Sequence, residues 1–229
     1  MMLEEDALAR FFVLREDLSG RYEAQWIKAR PVHTGDAARC LACGGIIGMR
    51  TWQPPYQGEV EVHGETLGDL ITVTGDDMLV SERLAESFRA EGLTGWGGFH
   101  PVDILRIRKK RGRQEQGGIP RYFVVTPCFG QGAVDEAHSR LRRNEPMACA
   151  ACRYAALDSI HGFILERSTW TGEDVFRPRG LQGCIVVSER FAGLVRRHGF
   201  TNMELIPTEA YVWDPLRKGP PPSASDAPL

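Results

Sequence analysis

The sequence predicts an α+β fold in which one unit, strands plus a short helix, occurs twice. Three matched segments carry that reading. Arg10-Phe-Phe-Val-Leu14 corresponds to Arg121-Tyr-Phe-Val-Val125, Cys40-Leu-Ala-Cys43 to Cys149-Ala-Ala-Cys152, and Val80-Ser-Glu-Arg83 to Val187-Ser-Glu-Arg190. The offsets are 111, 109 and 107 residues, so order and spacing are both kept. Past the third match the likeness runs on, residues 81–94 lying over 188–201. A period longer than the roughly 20–50 residues of solenoid repeats means an internally duplicated two-lobe unit. The expected organisation is a first lobe over 1–105, a basic linker over 106–120, a second lobe over 121–214 and a disordered tail over 215–229.

Each lobe opens on an apolar, β-rich run, Phe11 to Leu14 or Tyr122 to Val125, which reads as a strand. A variable loop then leads to the Cys-x-x-Cys turn. Leu70-Ile-Thr-Val73 and Cys184-Ile-Val-Val187 read as further strands. A short helix follows in both lobes. Ser81 and Ser188 suit the N-cap, because the hydroxyl accepts a bond from a free first-turn amide. Gly92 and Gly199 suit the C-terminal end, where φ turns positive. Between them Leu84, Ala85 and Phe88, or Phe191, Ala192 and Val195, fall on one helical face. Gly95-Trp-Gly-Gly98 reads as a turn with a packed Trp96, and Thr74-Gly-Asp-Asp77 as another turn. A final strand is expected over Val102–Ile107 and over Ala210–Trp213. The Pro220-Pro-Pro222 tail reads as disorder.

The chain has 229 residues, 42% hydrophobic and 25% charged, enough to bury a core. No run approaches the roughly 20 apolar residues of a membrane helix. Met1-Met2-Leu3-Glu4-Glu5-Asp6 is acidic where a signal peptide is basic, so a cytoplasmic protein is expected and a membrane partner is not. A net charge of −2 argues against a nucleic-acid binder held by phosphate contacts. That neutrality is composite. Residues 1–105 hold 9 basic and 17 acidic side chains, net −8, and residues 106–229 hold 19 and 13, net +6. Six positive charges crowd into Arg106-Ile-Arg-Lys-Lys-Arg-Gly-Arg113, which reads as a solvated linker or hairpin tip, or else as a contact for an acidic partner.

Four of the six cysteines form two Cys-x-x-Cys pairs. Zinc takes four ligands in a tetrahedron, and each such turn supplies two adjacent corners. Neither lobe has a second pair, so the economical site is one shared Zn²⁺ per chain bound by Cys40, Cys43, Cys149 and Cys152 in zinc-ribbon-like turns. A closed four-cysteine site would be structural, stapling the lobes. Two alternatives stand beside it: a redox pair, which Gly44-Gly45 disfavours because a reactive cysteine wants a helix start there, and pairs that bind no metal. Cys184 reads as a small core residue and Cys128 as an unassigned loop residue. His33 or His161 could instead complete separate zinc sites, while the six histidines, at 33, 63, 100, 138, 161 and 198, form no metal-binding motif. No Walker loop, dinucleotide fingerprint or nucleophile elbow occurs, and no constellation supports catalysis, so no enzyme is expected.

The N-terminal aromatic strand, Cys40-Leu-Ala-Cys43-Gly44 and a second Cys149-Ala-Ala-Cys152 resemble the double-CxxCG-motif family of myxobacterial paralogues. The likeness covers roughly residues 10–214. Arg153 stands where that family has glycine, which puts the geometry of the second turn in question. Some members are described as immunity proteins for lipoprotein toxins exchanged between neighbouring cells. The resemblance implies cytoplasmic neutralisation of a cognate protein toxin by direct binding. Gly75-Asp-Asp77 and the Arg106–Arg113 run would then be candidate contacts. A zinc-ribbon-like nucleic-acid-binding or regulatory protein is the alternative, and a thiol oxidoreductase stands behind it.

Overall fold

The layering follows from alternation in the first strand, β1 (Phe11–Arg15). Phe12 and Leu14 enter one apolar cluster while Phe11 and Val13 enter another, as the two-residue period of a strand requires. A computed structural model describes residues 10–73, 75–109 and 120–221. After β1 come β2 (Ala24–Lys28), β3 (His33–Arg39), β4 (Ile46–Gln53), β5 (Gln57–Val62), β6 (Leu70–Thr72) and β7 (Met78–Ser81). Then follow α1 (Glu82–Ala90), β8 (Trp96–Pro101) and β9 (Asp103–Lys109). The second half gives β10 (Tyr122–Val134), β11 (Leu141–Arg143), β12 (Leu157–His161), β13 (Leu165–Glu166), β14 (Val175–Arg179) and β15 (Val186–Ser188). It closes with α2 (Glu189–His198), β16 (Glu204–Pro207) and β17 (Val212–Trp213). The fold is thus mostly β with two helices among the described residues, none of them long and apolar enough to cross a membrane.

The central sheet runs β16-β1-β15-β14-β10-β7-β6, with β8 and β13 also paired to β10. Helices α1 and α2 cover one face, burying Leu84, Phe88, Phe191 and Leu194 against Phe12, Val80, Val125 and Val187. Two small sheets share the other face. One, β2-β5-β9, sets Trp26 and Val60 on Ile71, Leu79 and Val124. The other, β11-β12-β17, sets Ile160 among Phe11, Phe176 and Val186. The β3–β4 hairpin is a separate ribbon.

Pairing crosses between the halves of the chain. β1 pairs with β15 and β16, and β10 with β7 and β8. The register is alike in the two cases: Phe11 faces Ser188 and Tyr122 faces Ser81. Both serines cap their helices as expected, accepting from Leu84 N and Phe191 N at 3.3 Å. Behind each cap sits a buried carboxylate. Asp69 accepts from Ser81 Oγ at 2.6 Å and from Thr201 N at 2.8 Å, with Arg83 Nε at 2.7 Å. Asp174 accepts from Ser188 Oγ at 2.6 Å and from Thr94 N at 2.9 Å, with Arg190 at 3.0 Å. Each carboxylate therefore ties its own helix to the residue that follows the opposite helix. The segment over 106–120 does not divide the sheet, since strands from both sides of it interleave.

Several local expectations change. The strand at Tyr122 runs on to Val134, and Cys128 lies within it rather than in a loop. Residues 96–101 form a strand, not a turn, although Trp96 is buried as expected. Gly95 makes that approach possible: its φ is +103° and a Cβ there would sit 2.0 Å from Val175 O. Asp76 and Asp77 are not exposed contacts. They are buried because Arg177, Lys28, Thr126 and the backbone of β4 surround their carboxylates. The basic run begins inside β9, where Arg106 and Arg108 lie opposite Glu59 and Glu61 of β5 and Arg108 pairs with Glu59 at 2.6 Å. Residues 110–119, the rest of that run, lie outside the described residues, as do 222–229. The tail departs from expectation earlier, because residues 215–221 are held against β11 and β12. Asp214 accepts from Lys218 N and Gly219 N, Ser159 donates to Gly219 O, and Arg142 donates to Pro220 O at 2.8 Å. The last strand is shorter than Ala210–Trp213, a 3₁₀ turn occupying Thr208–Ala210.

Candidate metal centre

The first cysteine turn is the tip of the β3–β4 hairpin. Its backbone is closed by Gly44 N donating to Cys40 O and Cys40 N donating to Gly45 O, both at 2.8 Å. Gly44 takes a φ of +71°, which an L side chain resists. The second turn lies between β11 and β12 and is closed in the same way, Arg153 N donating to Cys149 O at 2.8 Å. Arg153 occupies the left-handed region with a φ of +53°. Its guanidinium spans Glu166 at 2.6 and 3.1 Å and Val134 O at 2.8 Å, tying the turn to β13 and β10. Arg153 at this position is compatible with a closed turn, its amide making the bond that Gly44 makes in the first.

The two turns face each other. Cys40 Sγ is 4.0 Å from Cys149 Sγ, Cys43 Sγ is 3.9 Å from Cys152 Sγ, and all four sulfurs lie within 4.8 Å of one another. These are free thiols, far outside the bonding distance of about 2.05 Å. A tetrahedron of sulfurs about 2.3 Å from a central ion has edges of about 3.8 Å. The cluster could therefore hold a metal ion, and it is the only group of three or more such ligands among the described residues.

Packing and polar bonds fix the cluster from below. Cys40 and Cys152 are buried beside Ile47, with Phe129 of β10 against them. Gln182 Nε2 and Gly180 N donate to Cys152 O, and Arg177 donates to Gln182 O at 2.8 Å. Arg177 pairs in turn with Asp76 at 3.0 Å, and Asp76 accepts from Met49 N on β4. Asp77 accepts from Trp52 N at 3.0 Å. The aspartates along β4 thus anchor the hairpin, and its tip packs through Cys40 against Cys152 and Phe129.

The amide of Gly45 draws the Cys43 thiol down, but the thiols of Cys149 and Cys40 outweigh it and leave Cys43 above its usual range. At two other sulfurs backbone amides favour the charged form. Those of Cys43 and Ala42 face Cys40 and hold its thiol below the usual range. Those of Cys152 and Ala151 do the same for Cys149, bringing it to about 7. Burial pushes Cys152 up to about 12, so this thiol would ionise only beside a cation.

The structure brings together all four cysteines singled out in the sequence. It leaves Cys128, Cys184, His33 and His161 outside the cluster: Cys184 is buried in apolar core, His33 is exposed on β3, and His161 faces Asp214 at 3.4 Å. Sequence reasoning missed the supports, Asp76, Arg177, Gln182 and Glu166. Only the Asp76-Asp77 doublet offered a signal, and it matched a turn equally well.

Fold and site together define a mostly-β protein whose four clustered cysteines could hold a metal ion. No protein-family profile and no curated protein matches the chain in sequence.

Proposed function

We propose that Cys40, Cys43, Cys149 and Cys152 bind one structural Zn²⁺, and that the stapled chain is a non-enzymatic cytoplasmic immunity protein that neutralises a cognate toxin by binding it. One observation supports the metal reading above all: two turns far apart in sequence supply four sulfurs near tetrahedral spacing. Four thiolates suit zinc, and four protein ligands leave no corner for a substrate, so the ion's work is to hold the fold. The like registers of β1 on β15 and of β10 on β7 support descent of the two halves from one duplicated unit. The toxin part of the reading rests on the resemblance to the double-CxxCG family. It is compatible with a rigid body that needs a complementary surface and no reactive site. The division of charge into −8 and +6 supplies an uneven field for steering a partner.

Metal analysis of the purified protein tests the first part. One zinc per chain is expected, lost in both Cys40→Ser and Cys149→Ser; two zincs per chain would end the shared-site reading. Co-expression with a toxin domain encoded beside this chain tests the second, with a stoichiometric complex and protection of the host expected. Neither complex nor protection would remove it. Binding to DNA or RNA that weakens steeply with salt would favour the zinc-ribbon alternative instead.

A further inference from the structure

Within the cluster, two sulfur contacts that span the turns each join a more accessible thiol to a buried one. Cys43 is exposed, and its partner Cys152 is 2% exposed. Cys149 is half-buried, and its partner Cys40 is 6% exposed. An accessible sulfur with a shielded one in contact is the arrangement in which an oxidant attacks the first and the second resolves it. Closing either pair to a disulfide needs an approach of about 2 Å. The remaining cysteines take no part. Cys184 lies in the apolar core and Cys128 within β10, Cys128 Sγ being 3.7 Å from Val175 O.

We propose that the cluster is an oxidation site for hydrogen peroxide, which replaces the metal staple by two disulfides, Cys43–Cys152 and Cys40–Cys149. The proposal rests on the metal reading above and adds its regulation. The Cys43 thiolate attacks a peroxide oxygen and the O–O bond breaks. Cys43 becomes a sulfenic acid, and the departing hydroxide takes a proton and leaves as water. The Cys152 thiolate then attacks the Cys43 sulfur. The S–O bond breaks, the S–S bond forms, and a second protonated hydroxide leaves as water. Two thiolates have lost two electrons and one peroxide has gained them. A second peroxide repeats the sequence with Cys149 attacked and Cys40 resolving, and the ion, stripped of four ligands, departs as a divalent cation. The hairpin tip stays joined to the second turn throughout, through the ion when reduced and covalently when oxidised.

The test treats the wild-type protein with hydrogen peroxide, follows metal release with a chromogenic chelator, and digests it with trypsin without reduction. Cleavage at arginine places Cys40 and Cys43 in the peptide 40–50, and Cys149 and Cys152 in 144–153. The expected product is these two peptides joined to each other, with fragment ions pairing Cys43 to Cys152, and two peroxides consumed per ion released. Separate peptides, each closed by its own internal disulfide, would overturn the proposal, and so would sulfonic acids or an ion retained at full oxidation. A chain purified without metal would remove the metal reading alone, because the peptide pattern would still decide the pairing.

Discussion

The first cysteine turn ends on Gly44 and the second on Arg153, yet in both the amide at that position donates to the carbonyl of the first cysteine at 2.8 Å. Glycine reaches positive φ without a side chain to resist it. An L residue there costs about 1–2 kcal/mol, and Arg153 offsets that by tying its guanidinium to Glu166 and Val134 O. The first turn is therefore permitted by what it lacks and the second by what it holds. The difference also marks their settings. The first rides on a separate two-stranded ribbon, while the second is fastened to the central sheet through β10 and β13. A metal shared between them would lend the ribbon the rigidity of the body.

Five substitutions bear on that comparison, in falling order of effect. Cys152→Ser, which removes the most buried ligand, should abolish stoichiometric metal binding. It should lower stability by about 4 kcal/mol, on the scale of a structural disulfide, and the melting temperature by roughly 10 °C. Unchanged melting would show that the turns do not depend on one ion. Asp174→Ala strands Ser188 Oγ, Thr94 N and one side of Arg190 far from the turns. A loss of about 2–3 kcal/mol is expected from the buried bonds, the half-exposed Arg190 adding little. Metal content should stay at one ion per chain, which separates body from staple, and loss of the ion would erase that separation.

Gly44→Ala and Arg153→Gly sharpen the contrast directly. An alanine methyl at Gly44 would meet nothing within 4 Å, so only its backbone conformation is at stake. A cost of about 1–2 kcal/mol in urea unfolding is expected there. Arg153→Gly removes strain and tether together and should fall within about 1 kcal/mol of wild type. If Arg153→Gly proved the costlier of the two, the tether would have to do more than offset strain.

The smallest effect lies in acid. Burial by itself would raise the Asp69 carboxyl, but Arg83, Ser81 and Thr201 outweigh it and hold the group below its ordinary value. The folded value thus lies below the unfolded one, near about 4. Its contribution is complete above about pH 4 and is lost as pH falls through the folded value. Asp69→Asn should flatten the stability profile below pH 4 relative to wild type, as measured by urea titration at each pH. Parallel profiles would deny Asp69 this role.

The residues that were legible in the sequence are those whose chemistry constrains spacing. Cys40, Cys43, Cys149 and Cys152 could be grouped because a tetrahedral site wants two turns. Ser81 and Ser188 could be placed because a helix start wants an acceptor. Asp69 and Asp174 were not legible. Each is a lone aspartate before an apolar run, and its partners, Thr201 and Thr94, belong to the other half of the chain. β3 escaped because His33-Thr-Gly-Asp-Ala-Ala-Arg39 buries no apolar face. β5 did carry a signal, Gly58, Val60 and Val62 alternating inward, in the stretch between Cys43 and Leu70 to which the sequence reading assigns no element.

Crossed pairing also sets a timetable. Phe11 finds its partner at Ser188, so β1 has no strand neighbour until the chain has been made as far as β15. At synthesis rates of about 5–20 residues per second, it waits for on the order of ten seconds or more. Through that interval Phe11, Phe12, Val13 and Leu14, all destined for burial, face solvent as an unpaired strand. Whatever meets the nascent chain in that interval meets those four side chains unpaired.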